Sequence, residues 1–128
     1  MAKHIAIIQG HPDSSTRHFC HALADEYAKG AEDGGHDVMR IDVASLEFPL
    51  LRTKEEFEKG RPPEAITRAQ EAVAWADHLV IIYPLWLGSM PALLKRSVMP
   101  PASSGDCCCA PEMRPPTASV ILLRSNMI

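Results

Sequence analysis

Two short runs, HIAIIQG at 4–10 and LVIIY at 79–83, are apolar almost without interruption. A strand that alternates apolar and polar residues can keep one wet face, but a strand apolar throughout needs cover on both faces. That cover must come from helices, and the intervening sequence offers them. STRHFCHALADEYAKGAEDGG (15–35) reads as a helix: Ser15 or Thr16 can cap it, Phe19, Leu23 and Tyr27 stack at four-residue spacing, and Gly34-Gly35 ends it. DVMRIDV (37–43) alternates, with Met39, Ile41 and Val43 on one face and Val38, Arg40 and Asp42 on the other, as suits an edge strand. Residues 44–61 read as a loop with one helical turn at most. A second helix opens at Pro62-Pro63 and runs through EAITRAQEAVAWA, with Ile66, Ala69, Val73 and Ala76 as its inward stripe. After the second apolar run, MPALLKRSV (90–98) starts a third helix with Pro91 in its first turn.

The order β-α-β-α-β-α predicts an α/β fold, a parallel sheet covered by helices. Right-handed crossovers and an edge-like second strand give the spatial order 2-1-3. The first and third strands are then neighbours whose following helices lie on opposite faces. Ligands bind in the crevice beyond the carboxyl ends of such a pair. The two unusual loops, GHPDSST (10–16) and YPLWLGSM (83–90), both fall there.

At 128 residues the chain is the size of one domain. A formal net charge of −3 gives no basic footprint for nucleic acid. The N-terminus lacks the apolar core of a signal peptide, and Pro84, Gly88 and Pro91 interrupt the richest apolar stretch, so a cytoplasmic protein without a membrane span is expected. Cys20 stands alone and Cys107, Cys108 and Cys109 are contiguous, the spacing of neither a disulfide framework nor a paired C-x-x-C zinc site. His18 and His21 read as capping or solvated side chains before they read as metal ligands.

The first loop carries His11, Ser14, Ser15, Thr16, Arg17 and His18 into a helix N-terminus, where unpaired N–H groups can hold a phosphate. Ordinary capping by Ser and Thr is the competing reading. The loop matches neither the P-loop nor the G-x-G-x-x-G pattern, which argues against ATP or NAD as the resident ligand. In the second loop Pro84 fixes the exit from the strand. Leu85, Trp86 and Leu87 offer an apolar ledge, and Gly88 lets the backbone approach a ligand closely. Alternatively Trp86 plugs the end of the sheet. Phosphate at one loop and a planar ring at the other make a flavin mononucleotide site the economical joint reading.

GHPDSST, FPLL (48–51) and above all WADHLVIIYPLWLGSMPALLK (75–95) resemble the flavodoxin-like NAD(P)H dehydrogenases (quinone). That group includes NAD(P)H:quinone oxidoreductases, modulator of drug activity B proteins and ancillary subunits of glutathione-gated potassium efflux systems. The resemblance covers about residues 3–95 and implies a three-layer flavodoxin-like sheet. It assigns His11, Ser15, Thr16, His18 and Phe19 to the flavin phosphate, and Pro84, Leu85, Trp86, Leu87 and Gly88 to the isoalloxazine ring. Many relatives have a second aromatic at the position of Leu87. The implied activity is hydride transfer from NAD(P)H through FMN, or alternatively FAD, to a quinone, in a homodimer. No catalytic acid or base is implied within residues 1–95.

Beyond Lys95 the sequence changes character. Residues 97–128 hold five of the eleven prolines and three of the four cysteines, where relatives continue with a long helix and two more strand-helix units. A shifted reading frame or a truncated gene near Lys95–Ser97 is the expectation, with residues 1–98 as the flavodoxin-like part and 99–128 as an atypical tail. ASVILL (118–123) is the candidate fourth strand. Two rival functions follow: a non-catalytic remnant or partner-binding regulatory subunit of the same fold, and a thiol or metal protein built on Cys107–Cys109.

Overall fold

The computed structural model describes residues 1–47, 49, 52–55, 63–98 and 117–123. The strands are β1 (His4–Gln9), β2 (Asp37–Asp42), β3 (His78–Pro84) and β4 (Thr117–Leu123). The helices are α1 (Phe19–Asp33), α2 (Glu64–Trp75) and α3 (Ala92–Val98), with a 3-10 turn at Val43–Ser45. All strand pairs are parallel and the order is β2-β1-β3-β4. Ile8 pairs with Ile41 on one side and with Ile81 on the other, so β1 is central. The expected 2-1-3 order is present, and the candidate fourth strand joins it beside β3. Of the apolar face expected on β2, Ile41 and Val43 are buried, whereas Met39 is exposed near the start of this outer strand.

Successive residues of β1 feed two separate cores. Ala6 and Ile8 pack with Leu79, Tyr83, Ile41 and Val43 beneath α2 and α3. Ile5 and Ile7 pack with Val80 and Ile82 beneath α1. Complete burial of an Ile or Val side chain contributes about 1.5–3 kcal/mol, so this central pair dominates the stability of the sheet.

On α1 the buried stripe is Cys20, Ala24, Ala28 and Ala31. The expected stripe of Phe19, Leu23 and Tyr27 lies one position away: Leu23 and Tyr27 flank the core, and Phe19 is 67% exposed. The sheet already supplies bulk through Ile5, Ile7, Val80 and Ile82, so small helix residues allow the closer contact. On α2, Ile66, Ala69 and Ala72 are buried and Val73 is partly buried, and Ala76, just past the helix end, is buried too, close to expectation.

The start of α1 also differs from expectation. Ser15 and Thr16 do not cap it, because Asp13 Oδ1 accepts both the Ser15 N–H (2.8 Å) and the Ser15 hydroxyl (2.6 Å), closing a turn ahead of the helix. His18 becomes the N-cap in extended conformation, and its N–H donates to Nδ1 of His21 at 3.2 Å. His21 thus takes the capping role. At the far end the Gly34-Gly35 stop holds: Gly34 N–H reaches the Gly30 carbonyl, and Gly35 has a φ of 76°.

Gly10 joins β1 to the first loop, and its N–H donates to the Ile82 carbonyl at 2.7 Å. A Cβ there would lie 2.6 Å from Leu94 Cδ2 and 3.0 Å from Tyr83 Cβ. Its absence lets α3 seat directly over the end of the sheet. Phe48, Leu50 and Leu51 of the FPLL segment, the cysteine triplet and residues 99–116 lie outside the described residues. Among the described residues no helix is long and apolar enough to cross a membrane.

Candidate functional site at the ends of β1 and β3

β1 and β3 run side by side and finish together, so residues 10–18 and 84–90 emerge at one end of the sheet. The loops meet through His11 and Trp86, whose rings stand edge to face with centroids 5.9 Å apart. His11 is buried and stacks on His18 at 3.9 Å, while His21 lies tilted 5.6 Å from it. His11 and His18 stack and His21 is tilted to both, and no group of three ligating side chains among the described residues is placed to hold a metal.

Hydrogen bonds set the protonation of this loop. His11 Nδ1 lies 3.1 Å from the Asp13 backbone nitrogen and 3.2 Å from the Asp13 carbonyl oxygen, so it accepts from the first in one neutral tautomer and donates to the second in the other. Burial, and then the charge of His18, push the His11 pKa below its ordinary value and favour the neutral ring. Asp13 is held well below the usual carboxylate range by the Ser15 hydroxyl, His18 and the Ser15 N–H. Its Oδ2 accepts from His18 Nε2 at 3.0 Å, and Thr16 Oγ1 lies 2.9 Å from the same nitrogen. Arg17, a candidate source of positive charge for the loop, instead pairs with Asp25 at 2.7 Å, where Arg40 also binds. Phe19 is the exposed first residue of α1 and makes no part of this network.

The second loop is built differently. Pro84 is buried at the end of β3, and Leu85 packs against the core beneath α2 and α3. Trp86 and Ser89 exchange two backbone hydrogen bonds of 2.9 Å around Leu87 and Gly88. Both central residues have positive φ, 48° and 75°, the hand of a type I′ turn. Glycine adopts this freely, whereas for leucine the left-handed conformation costs about 1–2 kcal/mol. Leu87 is nonetheless fully exposed, and a Cβ on Gly88 would meet nothing within 4 Å. Backbone strain beneath a bare apolar surface points to a site rather than to packing.

Sequence reasoning missed two residues. Asp13 organises the first loop. Gln9 is 1% exposed, and neither amide atom has a partner among the described residues. An unsatisfied buried polar group costs about 1–3 kcal/mol, so its place at the base of the loop is informative. Its signal was available: it is the polar residue that ends an otherwise apolar strand.

A family model for the flavodoxin-like fold matches residues 3–96. The chain belongs to this family. Over 92 residues this flavodoxin-like chain is 32% identical to an uncharacterized NAD(P)H oxidoreductase of Haemophilus influenzae, a match covering 70% of this chain and 45% of the relative. An NAD(P)H:quinone oxidoreductase from Methanothermobacter marburgensis superposes with a TM-score of 0.60 at 28% identity, covering 74% of this chain and 51% of that one. An NADH:FMN oxidoreductase in its apo form shares the fold, with a TM-score of 0.56 at 21% identity over 75% and 48% of the two chains. The flavodoxin-like chain therefore spans about half the length of the relatives it matches.

The residues present fit a ligand with an anionic end and a flat apolar body. Ser15, Thr16 and His18 supply compact donors beside a helix N-terminus, and the ionised Asp13 already stands in for an anion among them. Gln9 leaves an amide unsatisfied at the base of this loop, and Leu87-Gly88 present an exposed, unobstructed ledge in the second.

Proposed function

We propose that this chain holds flavin mononucleotide across the two loops and serves as an NAD(P)H:quinone oxidoreductase. The observation that carries the reading is the His11–Trp86 contact, which joins a polar, anion-suited loop to an apolar ledge at the switch point of the sheet. The NAD(P)H and quinone chemistry named for its relatives supports the reaction class.

In this reading His11, Ser15, Thr16 and His18 hold the phosphate, with Phe19 at the rim. Pro84 and Leu85 anchor the ledge in the core, while Trp86, Leu87 and Gly88 lie along the ring. Bound flavin supplies the hydride chemistry, in which NAD(P)H, a proton and a quinone give NAD(P)⁺ and a hydroquinone. Neutral His11 keeps one ring N–H as a donor, and Trp86 and Leu87 exclude water from the ring face. A cytoplasmic homodimer belongs to the same reading and is measurable by sedimentation.

The test is a titration of the purified chain with FMN, FAD and riboflavin, following flavin fluorescence and the thermal midpoint together. Saturable quenching by FMN with a raised midpoint, then NAD(P)H-dependent quinone reduction, is the expected result. A cooperative melt without quenching overturns it. That result would favour the second reading, a non-catalytic partner-binding module of the same fold.

A further inference from the structure

We propose that Asp13 is the first loop's own anion and limits how tightly the loop takes a ligand phosphate: its carboxylate sits on the donors such a phosphate would use. This rests on the reading above, in which that loop receives the phosphate.

The donors can be followed one at a time. The Ser15 N–H and hydroxyl both point to Asp13 Oδ1, at 2.8 and 2.6 Å. His18 Nε2 donates to Asp13 Oδ2 at 3.0 Å, and Thr16 Oγ1, 2.9 Å from that same nitrogen, accepts a share of the same N–H. His11 Nδ1 lies within hydrogen-bond distance of both the Asp13 N–H and the Asp13 carbonyl, so this nitrogen is engaged with the Asp13 backbone in either neutral tautomer. Arg17 is turned to Asp25 and supplies no countercharge. Three donors of the loop, the Ser15 N–H, the Ser15 hydroxyl and His18 Nε2, are thus engaged with the Asp13 carboxylate. Independently of these bonds, the buried Gln9 amide has no partner among the described residues at the end of β1 from which the loop departs.

A phosphate entering this network meets an ionised carboxylate within a few ångströms and must turn it outward. The Asp13 side chain is 44% exposed, so solvent is open to it. Asn is the informative replacement. It keeps a carbonyl oxygen for the Ser15 N–H and hydroxyl, and so keeps the turn, while removing the charge. Riboflavin is the informative control, because it has the ring without the phosphate.

The experiment compares wild type, Asp13→Asn and Asp13→Ala by fluorescence titration with FMN and with riboflavin at one ionic strength, with thermal melts to establish folding. Asp13→Asn is expected to tighten FMN about 5- to 10-fold, the scale of one removed like charge at this distance in water, and to leave riboflavin within about twofold. Asp13→Ala serves as the second variant and should shift the FMN-to-riboflavin ratio the same way. If wild type prefers FMN and both variants leave that preference unchanged or weaken it, the role of Asp13 is overturned while the phosphate reading survives. If wild type and variants bind FMN and riboflavin alike, or bind neither, the phosphate reading fails and this proposal fails with it.

Discussion

The two loops at the end of the sheet solve opposite problems. The loop after β1 is polar and self-satisfied, its shape held by Asp13, Ser15, Thr16 and the stacked histidines. The loop after β3 is apolar and strained, its shape held by two backbone hydrogen bonds and a leucine at positive φ. The first can change by exchanging partners within a hydrogen-bond network. The second has few alternatives, because a two-residue turn fixes its geometry. A ligand gripped by both meets an adaptable end and a rigid one, which suits a charged group whose position varies and a flat ring whose position must not.

The largest perturbation should come from the residue that serves both loops. Gly10→Ala places a methyl 2.6 Å from buried Leu94 Cδ2 and 3.0 Å from Tyr83 Cβ, and should destabilise the fold by about 1–3 kcal/mol in chemical denaturation. If its midpoint matches wild type, α3 is not seated on β1 as described and the loops do not share a base. Leu87→Gly should act on the rigid loop alone, raising stability by about 1 kcal/mol through relief of the left-handed strain. The same variant should weaken flavin binding several-fold, because the apolar ledge is lost. A gain in both properties would show that the strain serves no purpose.

The smallest effect is a pH dependence confined to the polar loop. The folded-state pKa of His11 lies below its ordinary value of 6.5, so the fold favours the neutral ring. That contribution is complete above pH 6.5 and is lost as the pH falls below it toward the folded value. Relative to His11→Gln, the wild type should therefore lose stability as the pH is lowered below 6.5. An identical pH profile for the two proteins would mean that His11 is not held neutral.

β1 and β3 were legible because every residue of an inner strand carries the same message, and a shift of one or two positions changes nothing. The start of α1 was not, because it turned on one carboxylate: Asp13 takes the Ser15 N–H that a helix cap would otherwise have used. Small local bonds of this kind leave no periodicity behind. The α1 stripe was misplaced by one position because helix spacing fixes which residues share a face, not whether the larger or the smaller set turns inward. At the site, the pattern brought the two loops to one crevice, but the His11–Trp86 contact depends on the β1–β3 register, which no local sequence encodes. The cysteine triplet remains outside the described residues.

The contact between His11 and Trp86 also has a meaning in time. About 75 residues separate the two on the chain. At 5–20 residues per second on a ribosome, the first loop is finished about 4–15 s before the second exists. Through that interval β1 has no β3 to pair with, and Ile5 and Ile7 have no Val80 or Ile82 beside them. The nascent chain therefore carries the polar half of its site on an apolar strand that has at most β2 beside it, a natural target for a chaperone, and ligand capture must wait for the tryptophan.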